Sequence, residues 1–210
     1  GRRQVAAGGR GGSVTAPGDV TGYRVREERV YRREVGDRGG AVDKLGGGYD
    51  GGVGVGFWSD DGNTIYFGAG VRVTTQLHAL DLRTGEVRQI TDERGVLNVR
   101  RDDDSGAILI GYSDPTTPPT VFTVSSIDQV ADRSLWIQLV DANPQVGEMA
   151  LGEEVEIDWT STDGKTVGGI LVKPVGYVEG ERYPLIVAIH GGPASADVLR
   201  FNGGYGAQVS

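Results

Sequence analysis

The chain has 210 residues, of which 36 are glycine, 8 are proline and none is cysteine. Glycine and proline make up about a fifth of the chain, which argues against a helical bundle because glycine costs about 1 kcal/mol inside a helix. The glycines have no period of three, which excludes collagen. No apolar run approaches the roughly 18 residues that a membrane-spanning helix needs. The lack of cysteine excludes disulfides, thiolate nucleophiles and cysteine metal sites.

The formal net charge of −8 is unevenly distributed. Residues 1–40 carry an excess of four positive charges, and the rest of the chain an excess of twelve negative ones. An acidic body disfavours nucleic-acid binding, which needs a basic surface. We expect residues 1–22, which are small, polar and rich in glycine, to be disordered or frayed. There is no secretory apolar segment, and the sequence leaves the compartment open between cytoplasm and periplasm.

The segments that follow this head are less regular than the rest of the chain. Residues 23–35 fit either strands of period 2 or a charged helix. The glycine-rich run Gly52–Gly56 lacks the GxGxxG spacing of a dinucleotide loop and no predicted helix follows it. We therefore expect no nucleotide and no other cofactor.

From residue 57 the pattern is that of an antiparallel meander, because short β-rich runs alternate with Asp-Gly and Thr-Gly turns. A rigid, proline-rich loop is predicted over residues 113–119. Strands are predicted over residues 64–67, 76–82, 87–91, 96–100, 107–112 and 120–124.

Two of the turns in this meander repeat. The turn that ends at Gly62 and the turn that ends at Gly106 lie 44 residues apart. A four-stranded unit that repeats every 40–50 residues is typical of β-propeller blades. A blade needs neighbours to bury its faces, so two or three blades do not make a closed propeller.

The composition changes after Asn143. Residues 155–160 and 167–174 predict a hairpin around a Thr-Asp-Gly-Lys turn. Residues 183–190 are almost continuously apolar, which is typical of a strand buried on both faces of an α/β sheet. This run ends abruptly in His190-Gly191-Gly192-Pro193.

A glycine-rich loop directly after a buried strand suits acyl transfer. Fixed backbone N–H groups stabilise the oxyanion that forms when a carbonyl becomes tetrahedral, and glycine lets those groups approach the reacting centre. His-Gly-Gly runs occupy the loop after the third strand of α/β-hydrolases. His190, Gly191, Gly192 and Pro193 are therefore the candidate residues of an oxyanion loop, the alternative being a plain strand-to-loop turn.

Residues 57–210 resemble the prolyl oligopeptidase family of serine peptidases, especially its acylaminoacyl-peptidase and dipeptidyl-peptidase-like members. The segments that carry the resemblance occur in the family's order along about three quarters of the chain. They are Trp58–Phe67 with Leu77–Thr91, then Tyr112–Pro119, Asn143–Gln145, Ile157–Gly164, Gly169–Pro174 and Tyr183–Pro193, with Gln208 in the helix that the family has after the loop.

The resemblance implies a mainly β and then α/β chain: C-terminal blades of a β-propeller followed by the first strands of an α/β-hydrolase domain. The implied boundaries are a partial propeller over 23–142 and the start of the peptidase domain over 143–210. It also implies a serine peptidase whose short peptide substrates pass a propeller, with the backbone of Gly191 and Gly192 in the oxyanion loop. His190 would shape that loop, because the family's catalytic histidine lies beyond residue 210.

The chain departs from the family pattern in its catalytic residues. It contains no GxSxG elbow, Ser195 lacks flanking glycines, and the two histidines are His78 and His190. We expect Ser195 to be a loop serine and His78 to be a residue of the sheet rather than a base. None of the catalytic triad is then present, and an activated nucleophile is needed for acyl transfer.

The expected function is that of a fragment of a serine peptidase that is inactive alone. The alternatives are a propeller-like binding module without catalysis and an esterase-type α/β-hydrolase. No metal site is expected, because neither the histidines nor the aspartates at 102–104 have ligand spacing. The expected partners are short peptides, without nucleic acid or membrane, and other copies of the chain that associate through exposed strand edges.

Overall fold

The computed structural model describes residues 30–32, 43–46, 49, 52–54, 56–191 and 195–203. These residues form twelve β-strands and three short 3-10 helices, and they include no α-helix. None of the described helices has the length and apolar character to cross a membrane. The chain divides into two compact units, the first made of residues 1–70 and 77–91, the second of residues 71–76 and 92–210.

The first unit is built from six strands. These are β1 (Val30–Arg32), β2 (Asp43–Leu45), β3 (Gly56–Trp58), β4 (Thr64–Val71), β5 (Thr74–Asp81) and β6 (Val87–Gln89), and the ends of β4 and β5 at residues 71–76 belong to the second unit. Strands β1 and β2 pair with each other, and β3, β4, β5 and β6 are neighbours in that order. For residues 30–32 the strand interpretation is thus confirmed; residues 1–22 lie outside the described part.

The core of the first unit follows the strand period of two. Along β4 the residues Ile65, Phe67 and Ala69 are buried and pack with Val53 and Leu80. His78 of β5 is 4% exposed, and its ring stacks on Phe67 with the ring centroids 5.6 Å apart. The prediction that His78 belongs to the sheet is confirmed.

The second unit contains an antiparallel meander and a separate hairpin. The meander consists of β7 (Val96–Arg101), β8 (Ile108–Asp114), β9 (Thr117–Val124) and β10 (Ile137–Gln138), in that order, and Thr75 pairs in parallel with Val96. The hairpin consists of β11 (Glu154–Thr160) and β12 (Thr166–Val172). Short 3-10 helices occupy Ile127–Ala131, Arg133–Leu135 and Pro144–Glu148. The chain is therefore mainly β with a mixed sheet.

Strand β9 begins at Thr117, earlier than the sequence predicts, so that Pro118 and Pro119 lie inside it. The pairing register between β8 and β9 shifts between Tyr112 and Asp114, next to these prolines. Proline is tolerated in strands where the regular hydrogen-bond ladder is interrupted. The predicted rigid loop over 113–119 is thus a tight turn at Asp114–Thr117.

The largest difference from the sequence prediction concerns residues 183–190. They form no strand, and Leu185, Ile186, Val187 and Ile189 are 71–89% exposed. No backbone hydrogen bond ties residues 184–190 to any other described residue. An apolar strand buried on both faces needs strands at its edges and layers on its faces, and no described part of the chain supplies them.

Candidate functional site

The predicted oxyanion loop is described in part. His190, Gly191 and Ser195 are described and exposed, whereas Gly192 and Pro193 lie outside the described residues, as does Gln208. His190 Nδ1 lies 3.1 Å from Ser195 Oγ and 3.3 Å from the Gly191 carbonyl oxygen. Ser195 Oγ lies 2.5 Å from the same carbonyl oxygen, to which it donates. The histidine, the first glycine and the serine thus form one small hydrogen-bonded loop.

The hydrogen bonds in this loop restrict His190. Its Nδ1 lies within hydrogen-bond distance of both Ser195 Oγ and the Gly191 carbonyl oxygen. A serine hydroxyl has one proton and can also accept, so Nδ1 can either donate to Ser195 Oγ or accept from it. In both cases the contact holds the imidazole ring in one orientation.

This geometry lacks the support that a nucleophile and its base need. In a catalytic triad a third group, a carboxylate, orients the histidine that accepts the serine proton. Among the described residues, no carboxylate hydrogen-bonds His190 to orient it. The arrangement fits the prediction that His190 shapes the loop and that Ser195 is a loop serine.

The chain that follows the loop is anchored to the second unit. The Leu199 N–H donates to the Val73 carbonyl at 2.8 Å, and the Leu199 residue is 2% exposed. The Phe201 N–H donates to Ser113 Oγ at 3.1 Å, and Ser113 Oγ in turn donates to the Thr117 carbonyl at 3.0 Å. The Leu199 and Phe201 contacts were not predicted, because they join residues 126 and 88 positions apart.

Arg72 at the β4–β5 turn holds the β11–β12 hairpin. Its guanidinium pairs with Glu156 and, at 2.6 Å, with Asp158 Oδ2, and both acids lie on one face of β11. The hydrogen bonds to Asp158 and Glu156, with their negative charges, raise the pKa of Arg72. Its φ of 54° is the left-handed conformation that non-glycine residues rarely adopt.

A second arginine contacts β11 through its backbone. The Arg94 guanidinium donates to the Glu154 carbonyl oxygen. Burial raises the pKa of the Glu154 carboxyl, and the positive charge of Arg94 acts in the opposite direction. Strand β11 is therefore contacted by two arginines, while Ile157 and Trp159 on the face opposite Glu156 and Asp158 are 36% and 49% exposed.

A polar cluster of the second unit is centred on Arg133, whose side chain is 43% exposed. Its Nη1 lies 3.0 Å from Tyr112 Oη, 3.4 Å from Glu93 Oε2 and 3.6 Å from Asp114 Oδ2. The guanidinium lies 4.3 Å from the centroid of the Tyr112 ring and 5.8 Å from that of Trp136. Sequence reasoning gave no sign of this cluster, because its members come from the loop before β7, from β8 and from residues 133–136.

The carboxylate of Asp114 in this cluster is well compensated by hydrogen bonds. Asp114 accepts from the backbone N–H groups of Thr116 and Thr117 at 2.8 and 2.7 Å, and from the Tyr112 hydroxyl at 3.0 Å. Burial alone would raise the pKa of Asp114, but these hydrogen bonds outweigh it and lower that pKa. The cluster is thus a structural ion network, and no group of three or more metal-ligating side chains exists among the described residues.

Comparison with known proteins relates this architecture to peptidases. No family model matches the chain. The chain is 26% identical over 140 residues to a probable dipeptidyl-aminopeptidase B of Penicillium rubens. The aligned region covers 65% of the chain and 15% of that protein. Acylaminoacyl peptidase of Pyrococcus horikoshii superposes with a TM-score of 0.63 at 20% identity, over 86% of the chain and 26% of the peptidase. Dipeptidyl peptidase 4 of Porphyromonas gingivalis superposes with a TM-score of 0.62 at 15% identity, over 83% of the chain and 25% of that peptidase.

The chain spans about a quarter of the length of these solved structures and 15% of the curated relative. At such low identity, the structural likeness establishes the fold alone. The structural neighbours are nevertheless peptidases of the kind that the sequence motifs indicated, and so is the sequence relative. The resemblance of the chain to the prolyl oligopeptidase family is therefore confirmed.

Proposed function

We propose that the chain is part of a serine-type peptidase that hydrolyses short peptides through an acyl-enzyme. Residues 23–142 would form C-terminal blades of a β-propeller, and residues 143–210 the beginning of an α/β-hydrolase domain. The observation that carries the proposal is the fold likeness to an acylaminoacyl peptidase over 86% of the chain. The alternative without chemistry is a propeller-like binding module.

Two repeated turns support the blade assignment. In the first, Asp61 Oδ1 accepts from the Asn63 N–H at 3.0 Å, and Gly62 has a φ of 68°. In the second, Asp102 Oδ1 accepts from the Ser105 N–H at 2.8 Å, and Gly106 has a φ of 72°. Glycines with positive φ thus recur with a spacing of 44 residues, each in a turn that an aspartate caps, and the capping aspartate lies one residue before the glycine in the first turn and four before it in the second.

In the proposed reaction, the loop at His190 acts on the substrate carbonyl. A serine hydroxyl attacks that carbonyl, the peptide C–N bond breaks, and the amine leaves with the serine proton. Water then hydrolyses the ester and restores the serine. Backbone N–H groups of the loop would stabilise the tetrahedral oxyanion, and the Ser195 hydroxyl, which donates to the Gly191 carbonyl, would keep that carbonyl oriented towards Ser195.

The first prediction compares the peptidase activity of the 210-residue chain with that of a longer natural protein. The 210-residue chain contains no GxSxG elbow, so we expect no turnover of aminoacyl or dipeptidyl p-nitroanilides. A longer natural protein that adds an elbow should release nitroaniline and be blocked by a serine-directed phosphonate. Phosphonate-sensitive turnover by the 210-residue chain would contradict the prediction.

The same assay distinguishes the bond that is cleaved. A panel of p-nitrophenyl esters tests the esterase alternative against the anilides. Activity confined to esters would replace the peptidase by an esterase. A longer protein that is inactive on both panels would favour the binding module.

The second prediction concerns a second copy of the chain as a partner. The unpaired apolar segment 183–190 and the open edges of the β11–β12 hairpin can pair with the same elements of another copy, since exposed strand edges promote association. We expect the weight-average sedimentation coefficient to rise with concentration. Replacing Ile189, which is 89% exposed, by lysine should reduce that rise.

The control is a lysine at an apolar site away from this segment. Leu135→Lys, at a residue that is 44% exposed, adds the same charge and should leave the concentration dependence unchanged. Equal behaviour of all three proteins would show that residues 183–190 do not mediate association.

A further inference from the structure

Among the described residues, His190 and Gly191 are held from the C-terminal side. On the N-terminal side of the loop at His190, residues 184–190 have no backbone hydrogen bond to any other described residue. On its C-terminal side, the Leu199 N–H donates to Val73 and the Phe201 N–H to Ser113. Within the described chain, the position of the loop therefore depends on the segment that follows it.

Leu199 is the principal anchor of that segment. It is 2% exposed and the Val73 residue that accepts its hydrogen bond is 8% exposed, so the contact is sheltered from water. Val198 and Phe201 on either side are half-buried, and Asp197 and Arg200 are exposed. The most buried residue of the segment is therefore Leu199, which marks its main attachment point.

The attachment site is rigid. Val73 lies in the β4–β5 turn, next to Arg72, which pairs with two acids of β11. Ser113 lies in β8, which pairs along its length with β7 and β9. The segment is thus fixed to two elements that are themselves held by strand pairing or by ion pairs.

We propose that residues 195–201 form a strap that positions the loop at His190, with Leu199 as a positioning residue. The strap fixes the position of Ser195. The Ser195 hydroxyl in turn orients the Gly191 carbonyl and lies 3.1 Å from His190 Nδ1. When Leu199 detaches, Ser195 can move and both of these hydrogen bonds are lost. The catalytic meaning of the strap rests on the proposed function, but the strap itself is a property of this chain.

The test is the tautomer of His190, read from ¹⁵N chemical shifts of the imidazole nitrogens at pH about 8.5, where an ordinary imidazole is neutral. The chain has two histidines, and the buried His78 is the internal reference. The wild-type chain should show a single dominant tautomer of His190, because Nδ1 is held against Ser195 Oγ. Leu199→Ala should convert it to a mixture of tautomers and raise amide exchange at residues 195–201 at least tenfold, while His78 stays unchanged.

The matched control is Leu135→Ala, at a residue that is 44% exposed, which should alter neither readout. Leu199→Met should restore the tautomer, because methionine can refill the same volume. Should Leu199→Ala fail to fold, Ser113→Ala removes the acceptor of the Phe201 N–H, and Ser126→Ala, whose side chain makes no capping bond, is its control. An unchanged His190 tautomer in a folded Leu199→Ala or Ser113→Ala chain would overturn the strap.

The effect of the strap on catalysis can be measured in a longer enzyme that contains this chain. There Leu199→Ala should lower kcat about tenfold or more with KM within about twofold, since the loop acts on the transition state. An unchanged kcat would overturn the positioning role. An inactive wild-type longer protein would refute the proposed function and leave the strap to be decided by the tautomer.

Discussion

Replacing Arg133 by methionine is expected to lower the free energy of unfolding by about 2 kcal/mol. The variant keeps most of the aliphatic length but leaves Glu93 and Asp114, whose side chains are 16% and 14% exposed, without their common cation. Removing one partner of a fully buried ion pair costs about 3–5 kcal/mol. We expect less because the Arg133 side chain is 43% exposed and therefore partly screened.

The measurement is urea unfolding followed by the fluorescence of Trp136, whose ring lies 5.6 Å from that of Tyr112 in an edge-to-face contact. Arg83→Met is the matched control. The Arg83 pair with Asp81 joins side chains that are 74% and 37% exposed, so its loss should cost under about 0.5 kcal/mol. Equal effects of the two substitutions would show that the Arg133 cluster is no more than a surface ion pair.

The Arg133→Met variant should also change how the free energy of unfolding depends on pH in alkaline solution. Burial, followed by the negative charge of Asp114, raises the pKa of Tyr112, while the charge of Arg133 lowers it. The folded chain then holds the phenol proton to higher pH than the unfolded chain, whose tyrosine titrates near pH 10. The stabilisation of the folded chain that results from this raised pKa is fully present below pH 10 and is lost as pH rises further. Without Arg133 the pKa of Tyr112 rises more, so the loss should extend to higher pH, and Tyr112→Phe should remove it.

Local features of the fold were predictable because they depend on neighbouring residues. The turns at Gly62 and Gly106 follow from aspartates that hydrogen-bond the backbone two or three residues on and from glycines that adopt positive φ. Strand β8 alternates as its sequence predicts, with Ile108 and Ile110 buried and Leu109 36% exposed. Most strands predicted between residues 64 and 174 thus lie close to their predicted positions, although β4 continues four residues beyond its predicted end to Val71.

Features that depend on distant partners were not predictable. Pro118 and Pro119 suggest a loop until the irregular register of β8 and β9 is known. The apolar run 183–190 indicates a strand, but a strand forms only where other strands pair with it. The attachment of Leu199 to Val73 joins residues 126 positions apart, and no local pattern indicates such a contact.

For the candidate site, the sequence predicted the chemical character of the loop but not its support. A His-Gly-Gly-Pro run after an apolar segment indicates an oxyanion loop through its composition alone. The tautomer of His190 depends on Ser195 and on the Gly191 carbonyl, which come together only in the folded loop. The arginines that hold β11 are likewise ordinary surface residues when they are considered in sequence.

Replacing Phe67 by alanine is expected to have the largest effect on the first unit. Phe67 is 1% exposed in the middle of β4, and its ring contacts those of Tyr49 and His78 at centroid distances of 5.7 and 5.6 Å. The substitution removes buried apolar surface and leaves a cavity, which together cost about 3–5 kcal/mol. Urea unfolding should be followed through Trp58, which packs against the same cluster, in a background with Trp136 and Trp159 replaced by phenylalanine.

Phe57→Ala is the control for this prediction, because Phe57 is partly exposed and stacks on Tyr66 at 5.4 Å outside the buried cluster. Its loss should cost about 1 kcal/mol, the value of an aromatic pair with little burial. Phe67→Leu should lie between the two, since leucine fills most of the cavity but loses the stacking on His78. If Phe67→Ala costs no more than Phe57→Ala, the cluster around Phe67 is not the core of the first unit, because a partly exposed ring would then contribute as much as a fully buried one.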